Sequence, residues 1–146
     1  MKDIEIRMAR SRKDLDQIFK IRELVFVKEQ GVAKNIVNDE LDKKTKHLIM
    51  FYRNKPIGCA RVWFIDKKAV LQRIAVLKRY RNRGFGKALM EYLIKYCRKR
   101  KANEIVMHSQ YYIRNFYTGL GFLIKGRAFK EAGTGIKHID VHMKLE

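Results

Sequence analysis

The sequence is poor in the residues that stabilise disulfide-rich or metal-binding domains. It has one proline, two cysteines and four histidines among 146 residues. Cys59 and Cys97 stand far apart, so they form neither a disulfide framework nor a metal or redox motif. We expect two reduced, buried thiols, although an acyl-carrying role for Cys59 stays open. The histidines are dispersed, and no metal site is predicted.

Long apolar runs are also missing. No run approaches the roughly 18 residues that a membrane helix needs, and residues 1–6 lack the apolar core of a signal peptide. Neither a Ser/Gly-rich linker nor an internal repeat divides the chain. These absences predict a single domain over residues 1–146 that is cytoplasmic and independent of membranes.

Acidic residues are scarce relative to basic ones. The chain has 34 Lys and Arg against 15 Asp and Glu, which gives a formal net charge of +19. Such a field attracts anions in general, but the sequence contains no zinc-finger, basic-zipper or RNP-like pattern. We therefore expect no specific nucleic-acid partner, and a lysine-rich solvated surface with weak binding to polyanions at low salt.

A strand, a basic turn and a helix follow one another in the middle of the chain. Residues 70–76 are a predicted strand, and an apolar face at three-and-four spacing predicts a helix from residue 85. Gly84 and Gly86 stand where the first turn of this helix exposes its N–H groups, and Arg81, Arg83 and Lys87 add positive charge. The arrangement is typical of an anion-binding helix start.

The glycine spacing separates three kinds of phosphate-binding loop. A Walker loop needs Ser or Thr where Ala88 stands, and a Rossmann fingerprint needs a small residue where Leu89 stands. The pattern that remains is Arg81-x-x-Gly84-x-Gly86 directly after a strand, which on its own also fits an ordinary basic turn.

This segment resembles the acetyl-CoA-binding motif of the GNAT superfamily of N-acetyltransferases. The stretch Phe116-Tyr-Thr-Gly-Leu-Gly-Phe122 resembles the second signature of that superfamily. Residues 21–32, with Glu40, Asp42 and His47 after them, further resemble its ElaA-like branch. The resemblance spans about residues 13–143 and has its motifs in the expected order.

The predicted elements agree with that fold. Strands are predicted at residues 3–8, 47–52, 57–65, 70–76, 103–108, 122–129 and 137–143, and helices at 15–26, 85–101 and 111–120. Residues 27–46 are predicted to be a loop beside the substrate side. The expected architecture is α/β: a mixed, mostly antiparallel central sheet with splayed central strands and helices on both faces.

The resemblance implies acetyl-CoA as cosubstrate and assigns residues to it. The turn and helix start would hold the pyrophosphate, the splayed strand would pair with the pantetheine arm, and Gln110 would contact the cofactor. The implied binding residues are Ile74, Ala75, Val76, Arg81, Arg83, Gly84, Phe85, Gly86, Lys87, Ala88, Gln110, Phe116 and Tyr117.

Catalytic residues follow from the same resemblance. Tyr117 matches the tyrosine that protonates the departing thiolate, a task suited to a phenol that stays protonated near neutrality. Glu131 is the expected base, and His138, Glu40 and His47 stay open as alternatives. Compared with the ElaA-like branch, the segment from Glu131 to His138 carries two extra residues, which alters the loop between these two groups.

The sequence thus predicts an N-acetyltransferase in which a primary amine, on a small molecule or a protein, attacks acetyl-CoA directly. Acidic residues Asp39, Glu40 and Asp42 are expected to oppose the positive field near the acceptor. A different class stays open, namely an acyl-CoA sensor or a basic polyanion-binding module on the same fold. The acceptor and the oligomeric state, including a homodimer, are not determined.

Overall fold

The chain forms one seven-stranded sheet flanked by helices, as described for residues 2–145 by a computed structural model. The strands are β1 (Ile4–Met8), β2 (Lys46–Tyr52), β3 (Lys55–Ile65), β4 (Lys68–Val76), β5 (Glu104–Gln110), β6 (Leu123–Lys130) and β7 (Lys137–Lys144). Their order in the sheet is β1-β2-β3-β4-β5-β7-β6. Within the described residues, neighbouring strands are antiparallel except for β4 and β5, which are parallel. The predicted mixed, mostly antiparallel sheet is confirmed.

Helices cover both faces of the sheet, as predicted. They are α1 (Arg12–Arg22), α2 (Lys34–Val37), α3 (Phe85–Lys99) and α4 (Arg114–Gly119). Alternate residues of β2 point to opposite faces, so Ile49 packs with Ile18 of α1 while Leu48 packs with Leu89 of α3. None of the helices formed by residues 2–145 has both the length and the apolarity needed to cross a membrane.

The segment after α1 differs from its prediction. Residues 27–46 are not one loop: α1 continues as a π-helical segment over Glu23–Glu29, and α2 and a 3-10 turn over Glu40–Lys43 follow. Arg22, the last residue of α1, is fully buried. These short turns contain few apolar residues, and buried ionic contacts hold them in place. Apolar periodicity cannot reveal such contacts.

The two central strands separate after a short contact. Strands β4 and β5 pair only from Lys68 with Glu104 to Val70 with Val106. Beyond that point β4 contains a bulge against β3, where one extra residue is inserted and Arg73 adopts a φ of +54°. The predicted splayed strands are therefore present, and a gap opens between them.

Candidate active site

A cavity of about 670 Å³ occupies the gap between β4 and β5. It extends from the turn before α3 to the turn that joins β6 and β7. Most of the residues expected to bind the cofactor line it, namely Ile74, Ala75, Val76, Arg81, Gly84, Gly86, Lys87, Gln110, Phe116 and Tyr117. The fold therefore brings together residues that are more than 40 positions apart in the sequence.

One end of the cavity is the start of α3. Gly84 precedes the helix with a φ of +87°, a conformation that favours glycine. No side chain among residues 2–145 caps the first turn, so the N–H groups of Gly86 and Lys87 are open to an anion. The N–H of Ala88 already donates to the Gly84 carbonyl oxygen at 3.1 Å, and Ala88 does not line the cavity.

Two arginines of this turn have structural contacts of their own. Arg81 donates from its Nη atoms to both carboxylate oxygens of Glu29, at 2.6 and 2.8 Å, and from Nε to the Val76 carbonyl oxygen at 2.9 Å. The Arg83 guanidinium lies over three aromatic rings, including Tyr80 and Phe85. Arg83 and the buried Phe85 lie outside the cavity lining. Their side chains therefore pack on the side of the turn that faces away from the cavity.

The backbone of β4 offers a donor to the gap at Val76. The next residue, Leu77, donates its N–H to Ile57 of β3 at 2.8 Å. Because backbone groups of successive strand residues point to opposite sides, those of Val76 face away from β3. Its carbonyl oxygen is bound by Arg81, which leaves the Val76 N–H directed at the gap.

Tyr117 reaches the middle of the cavity from α4. Its ring is held in edge contact with Phe116 and Phe122, at centroid distances of 5.1 and 5.9 Å. Burial raises the pKa of the phenol above its ordinary value of 10.0. Within residues 2–145 its hydroxyl makes no hydrogen bond, although it lies at the cavity wall. A protonated donor is thus available to a bound molecule.

Gln110 connects the two walls of the cavity. Its Nε2 donates to Gln30 Oε1 at 2.9 Å, and its Oε1 accepts a hydrogen bond from the Tyr112 hydroxyl. Gln30 follows the π-helical segment, whereas Gln110 ends β5. The amide expected to contact the cofactor therefore also joins the helical wall to the sheet.

Glu131 and His138 face each other at the opposite end of the cavity. Glu131 Oε1 lies 3.7 Å from His138 Nε2 and accepts a hydrogen bond from Thr134 Oγ1 at 3.3 Å. The two additional residues are contained in a tight turn, in which the Gly135 N–H donates to the Glu131 carbonyl oxygen at 2.9 Å. The altered loop thus leaves the carboxylate and the imidazole adjacent.

Contacts of the His138 ring determine which nitrogen is free. Nδ1 lies 2.7 Å from the Ile136 carbonyl oxygen, which can only accept, so Nδ1 carries a proton. In the neutral ring Nε2 is then an acceptor. His138 is buried, and Phe129 stacks on it. The imidazole therefore presents a basic nitrogen toward Glu131.

The other two candidate bases lie elsewhere. His47 is buried, and burial lowers the pKa of its imidazole. Its Nε2 donates to the Asp42 carbonyl oxygen at 2.8 Å and its Nδ1 accepts from Arg22 at 3.3 Å, so both ring nitrogens are engaged. Glu40 is exposed on the 3-10 turn and does not line the cavity. Neither side chain lines the cavity.

A buried ionic cluster lies near the end of the cavity that holds Glu131. Arg61, which is fully buried, donates to Asp39 at 2.6 Å and to Asp42 at 3.0 Å. Arg22 donates to Asp42 at 2.9 Å, and Arg73 donates to Asp39 at 3.2 Å. Two of the three acidic residues expected to oppose the positive field, Asp39 and Asp42, instead neutralise core arginines, whereas Glu40 is exposed.

Sequence reasoning missed this cluster, which we call the arginine cluster (Arg22, Arg61, Arg73, Asp39 and Asp42). The signal available in the sequence was Arg61 at an inward-facing position of an alternating strand. Charged residues seldom occupy such positions unless the charge is paired. Cys59 packs on the same face, fully buried, and burial raises the pKa of its thiol to about 11. Because Cys59 is buried and does not line the cavity, its thiol is not positioned for the acyl-carrying role that the sequence left open.

Comparisons with known proteins agree with the geometry. The model of the acetyltransferase (GNAT) family matches residues 14–122. Two Bacillus subtilis (strain 168) proteins are similar: the uncharacterised N-acetyltransferase YjcF is 32% identical over 135 residues (92% of this chain, 95% of that protein), and YyaT, also uncharacterised, is 31% identical over 139 residues (93% of each).

Solved structures share the fold. Escherichia coli ElaA matches with a TM-score of 0.83 at 23% identity, over 97% of this chain and 99% of its own. A Bacillus subtilis acetyltransferase, solved in complex with CoA, matches with a TM-score of 0.76 at 18% identity, over 98% and 99%. The predicted resemblance to the GNAT superfamily is confirmed by the family model, and ElaA shares the fold of this chain. The chain belongs to the acetyltransferase (GNAT) family.

Proposed function

We propose that this chain transfers an acetyl group from acetyl-CoA to a primary amine by direct attack. The observation that carries the proposal is the gap between β4 and β5, with the start of α3 at one end and Glu131 at the other. Within residues 2–145 no side chain caps that helix start, and the hydroxyl of Tyr117, which lines the gap between the two ends, has no hydrogen-bond partner. Solved relatives that hold CoA or acetyl-CoA, from Bacillus subtilis and Elizabethkingia anophelis, support the choice of cosubstrate.

Each part of the cavity has a task in this reaction. The first turn of α3, with Lys87, binds the pyrophosphate through N–H groups and positive charge. The Val76 N–H and the neighbouring β4 backbone pair with the pantetheine arm as a strand would. Within this frame the thioester carbonyl lies between Tyr117 and the end that holds Glu131.

The chemical step moves three protons. Glu131, with His138 beside it, takes one proton of the substrate ammonium, and the neutral amine nitrogen then attacks the thioester carbonyl carbon. The nitrogen of the tetrahedral intermediate loses a second proton to solvent, the carbon–sulfur bond breaks as the intermediate collapses, and Tyr117 gives its proton to the sulfur. The products are the acetylated amine and CoA, and solvent returns the phenol proton and takes the proton held by Glu131.

Cofactor binding is tested with Gly86→Glu. Gly86 has an ordinary backbone conformation, and an added Cβ would meet only the Phe116 ring, at 3.4 Å. The variant should therefore fold while placing negative charge at the pyrophosphate site. Calorimetry should show one saturable acetyl-CoA site in the wild type and at least about tenfold weaker binding in the variant. The exposed Gly119→Glu variant, with open space around it, is the matched control.

Catalysis is tested with Tyr117→Phe, which keeps the ring contacts and removes the proton donor. We expect kcat to fall by about 100-fold or more, as is common when a general acid is lost, with acetyl-CoA affinity nearly unchanged. Tyr92→Phe, on α3 and outside the cavity lining, is the control. A folded Tyr117→Phe enzyme with full activity would remove Tyr117 from the mechanism, and a wild type that binds no acetyl-CoA would refute the function itself.

A further inference from the structure

We infer that the acceptor is a small amine with a single ammonium group on an apolar body. This inference rests on the proposed function and names its substrate class. The observations that carry it are the charges that line the cavity, the space between Glu131 and His138, and the apolar wall that narrows this end.

The cavity has one carboxylate to offer a cationic substrate. Among the described residues 2–145, three carboxylates line it: Glu29, Glu131 and Asp140. Glu29 is bound by both Nη atoms of Arg81, and Asp140 is hydrogen-bonded to His108. Glu131 has no lysine or arginine within ion-pair distance in the described part of the chain.

Positive charge is abundant on the same walls. Arg73, Arg81, Lys87 and Lys125 all line the cavity, in a chain whose formal net charge is +19. Among the described residues, a second ammonium on the substrate would find only carboxylates that already pair with Arg81 or His108, and it would be repelled by the basic side chains. Polyamines and aminoglycosides are therefore disfavoured, whereas one ammonium is neutralised at Glu131.

The space between the two polar groups fits one nitrogen. Glu131 Oε1 and His138 Nε2 are 3.7 Å apart, too far for a direct hydrogen bond. A single ammonium nitrogen can lie about 2.8 Å from each and donate to both. Because Nδ1 of His138 donates to the Ile136 carbonyl oxygen, Nε2 is the acceptor that this ammonium needs.

The surrounding wall is apolar and fixed in place. Val32, Ile36 and Val37 line the cavity beside Ile136 of the opposing turn. Arg73 donates to the carbonyl oxygens of Ile36 and Val37, at 3.0 and 2.9 Å, which ties this wall to the bulge of β4. An apolar substituent on the amine would gain from burial against such a preformed wall.

A contact between the two walls narrows this end of the cavity. The Ile36 side chain lies against the turn, so that a Cβ placed on Gly133 would come within 3.4 Å of Ile36 Cδ1. A lysine inside a polypeptide would require an open groove for the flanking backbone. We therefore assign the acceptor to small molecules and not to protein lysines.

The test compares acceptors at saturating acetyl-CoA, with CoA release and product mass as readouts. Benzylamine and isopentylamine represent apolar monoamines, and spermidine, kanamycin and a lysine-containing hexapeptide represent the competing classes. We expect kcat/KM to be at least about tenfold higher for the apolar monoamines, as expected for a pocket that discriminates by burial and unpaired charge. A preference for spermidine, kanamycin or the peptide would overturn the inference.

Two pairs of variants test whether Glu131 and Ile36 determine which amines the enzyme accepts. Glu131→Gln should lower kcat/KM for benzylamine by about 100-fold or more without weakening acetyl-CoA binding, whereas the exposed Glu91→Gln should not. Ile36→Ala should shift relative kcat/KM toward larger amines by about tenfold. Ile65→Ala makes the same change at an exposed site outside the cavity lining and should leave the preference unchanged.

The outcomes separate this inference from the proposed function. Binding of acetyl-CoA with turnover of polycationic or peptide acceptors would keep the acetyltransferase and overturn the monoamine class. An Ile36→Ala enzyme with an unchanged acceptor preference would overturn the role of the apolar wall. Failure to bind acetyl-CoA, or to acetylate any amine in the panel, would refute the proposed function and the inference with it.

Discussion

The arginine cluster makes the stability of this protein depend on Arg61 in a way that can be measured. Arg61 is fully buried and donates to two carboxylates and to Gln72, whose Oε1 accepts from Arg61 Nη2 at 2.7 Å and from Nε at 3.1 Å. Arg61→Met keeps most of the side-chain volume and removes the five hydrogen bonds that Arg61 donates in the core.

The expected loss follows from what the substitution leaves behind. Breaking a buried ion pair by removing one partner typically costs about 3–5 kcal/mol. Asp39 keeps Arg73 at 3.2 Å and Asp42 keeps Arg22 at 2.9 Å, so neither carboxylate is left alone. We therefore expect the lower end, about 3 kcal/mol, seen in urea unfolding as a midpoint lower by about 1.5–2 M at an ordinary m-value.

The matched control is Arg12→Met on the surface of α1. Arg12 pairs with Asp16 at 3.0 Å, but its side chain is 80% exposed, and such pairs contribute about 0–1 kcal/mol. If Arg61→Met lowers the free energy of unfolding no more than Arg12→Met does, the arginine cluster does not stabilise the fold and the reasoning is refuted.

Two further predictions concern titratable groups. The hydrogen bond from Arg7 holds the pKa of Asp14 at about 2, below its ordinary 3.8, so its contribution to stability is present above pH 3.8 and lost as pH falls through about 2. Asp14→Asn should therefore destabilise the protein at pH 7 and converge with wild type in acid, whereas a constant difference across this range would contradict the linkage. Burial raises the pKa of the thiols of Cys59 and Cys97 to about 11, so a thiol reagent at pH 8 should label the native protein slowly and the urea-unfolded protein at both sites. Rapid labelling of the native protein would contradict this prediction, because it would show that the thiols are accessible. The Cys59→Ala variant should retain acetylation activity.

Much of the fold could be predicted from residue patterns within single helices and strands. Apolar residues at helical spacing predicted α3, and the structure places its helix over Phe85–Lys99. The strand predicted over residues 57–65 is β3, and its alternate residues Ala60 and Val62 both pack in the core with Leu89 of α3. These features depend on neighbours within one element, which periodicity reports directly.

What escaped prediction depends on partners far along the chain. Arg22 and Arg61 are buried because Asp39 and Asp42 reach them from a 3-10 turn, over separations of about 20 residues. The bulge at Arg73 requires a positive φ from a residue that seldom adopts one. At the site, the sequence named Glu131 and His138 but could not place them together, because their distance depends on how a glycine-containing turn closes.

The short β4–β5 contact bears on the order in which the molecule assembles. Strands β1 to β4 form a meander in which each strand lies beside its predecessor, and β5 to β7 form a second compact group. In the described residues the two groups share three paired positions, across a parallel junction that requires α3 as a crossover. Local pairings form faster than distant ones, so we expect two half-sheets to form first and dock last. The gap between β4 and β5 forms only when the two half-sheets dock. Any ligand that spans this gap stabilises the complete fold relative to the separated half-sheets.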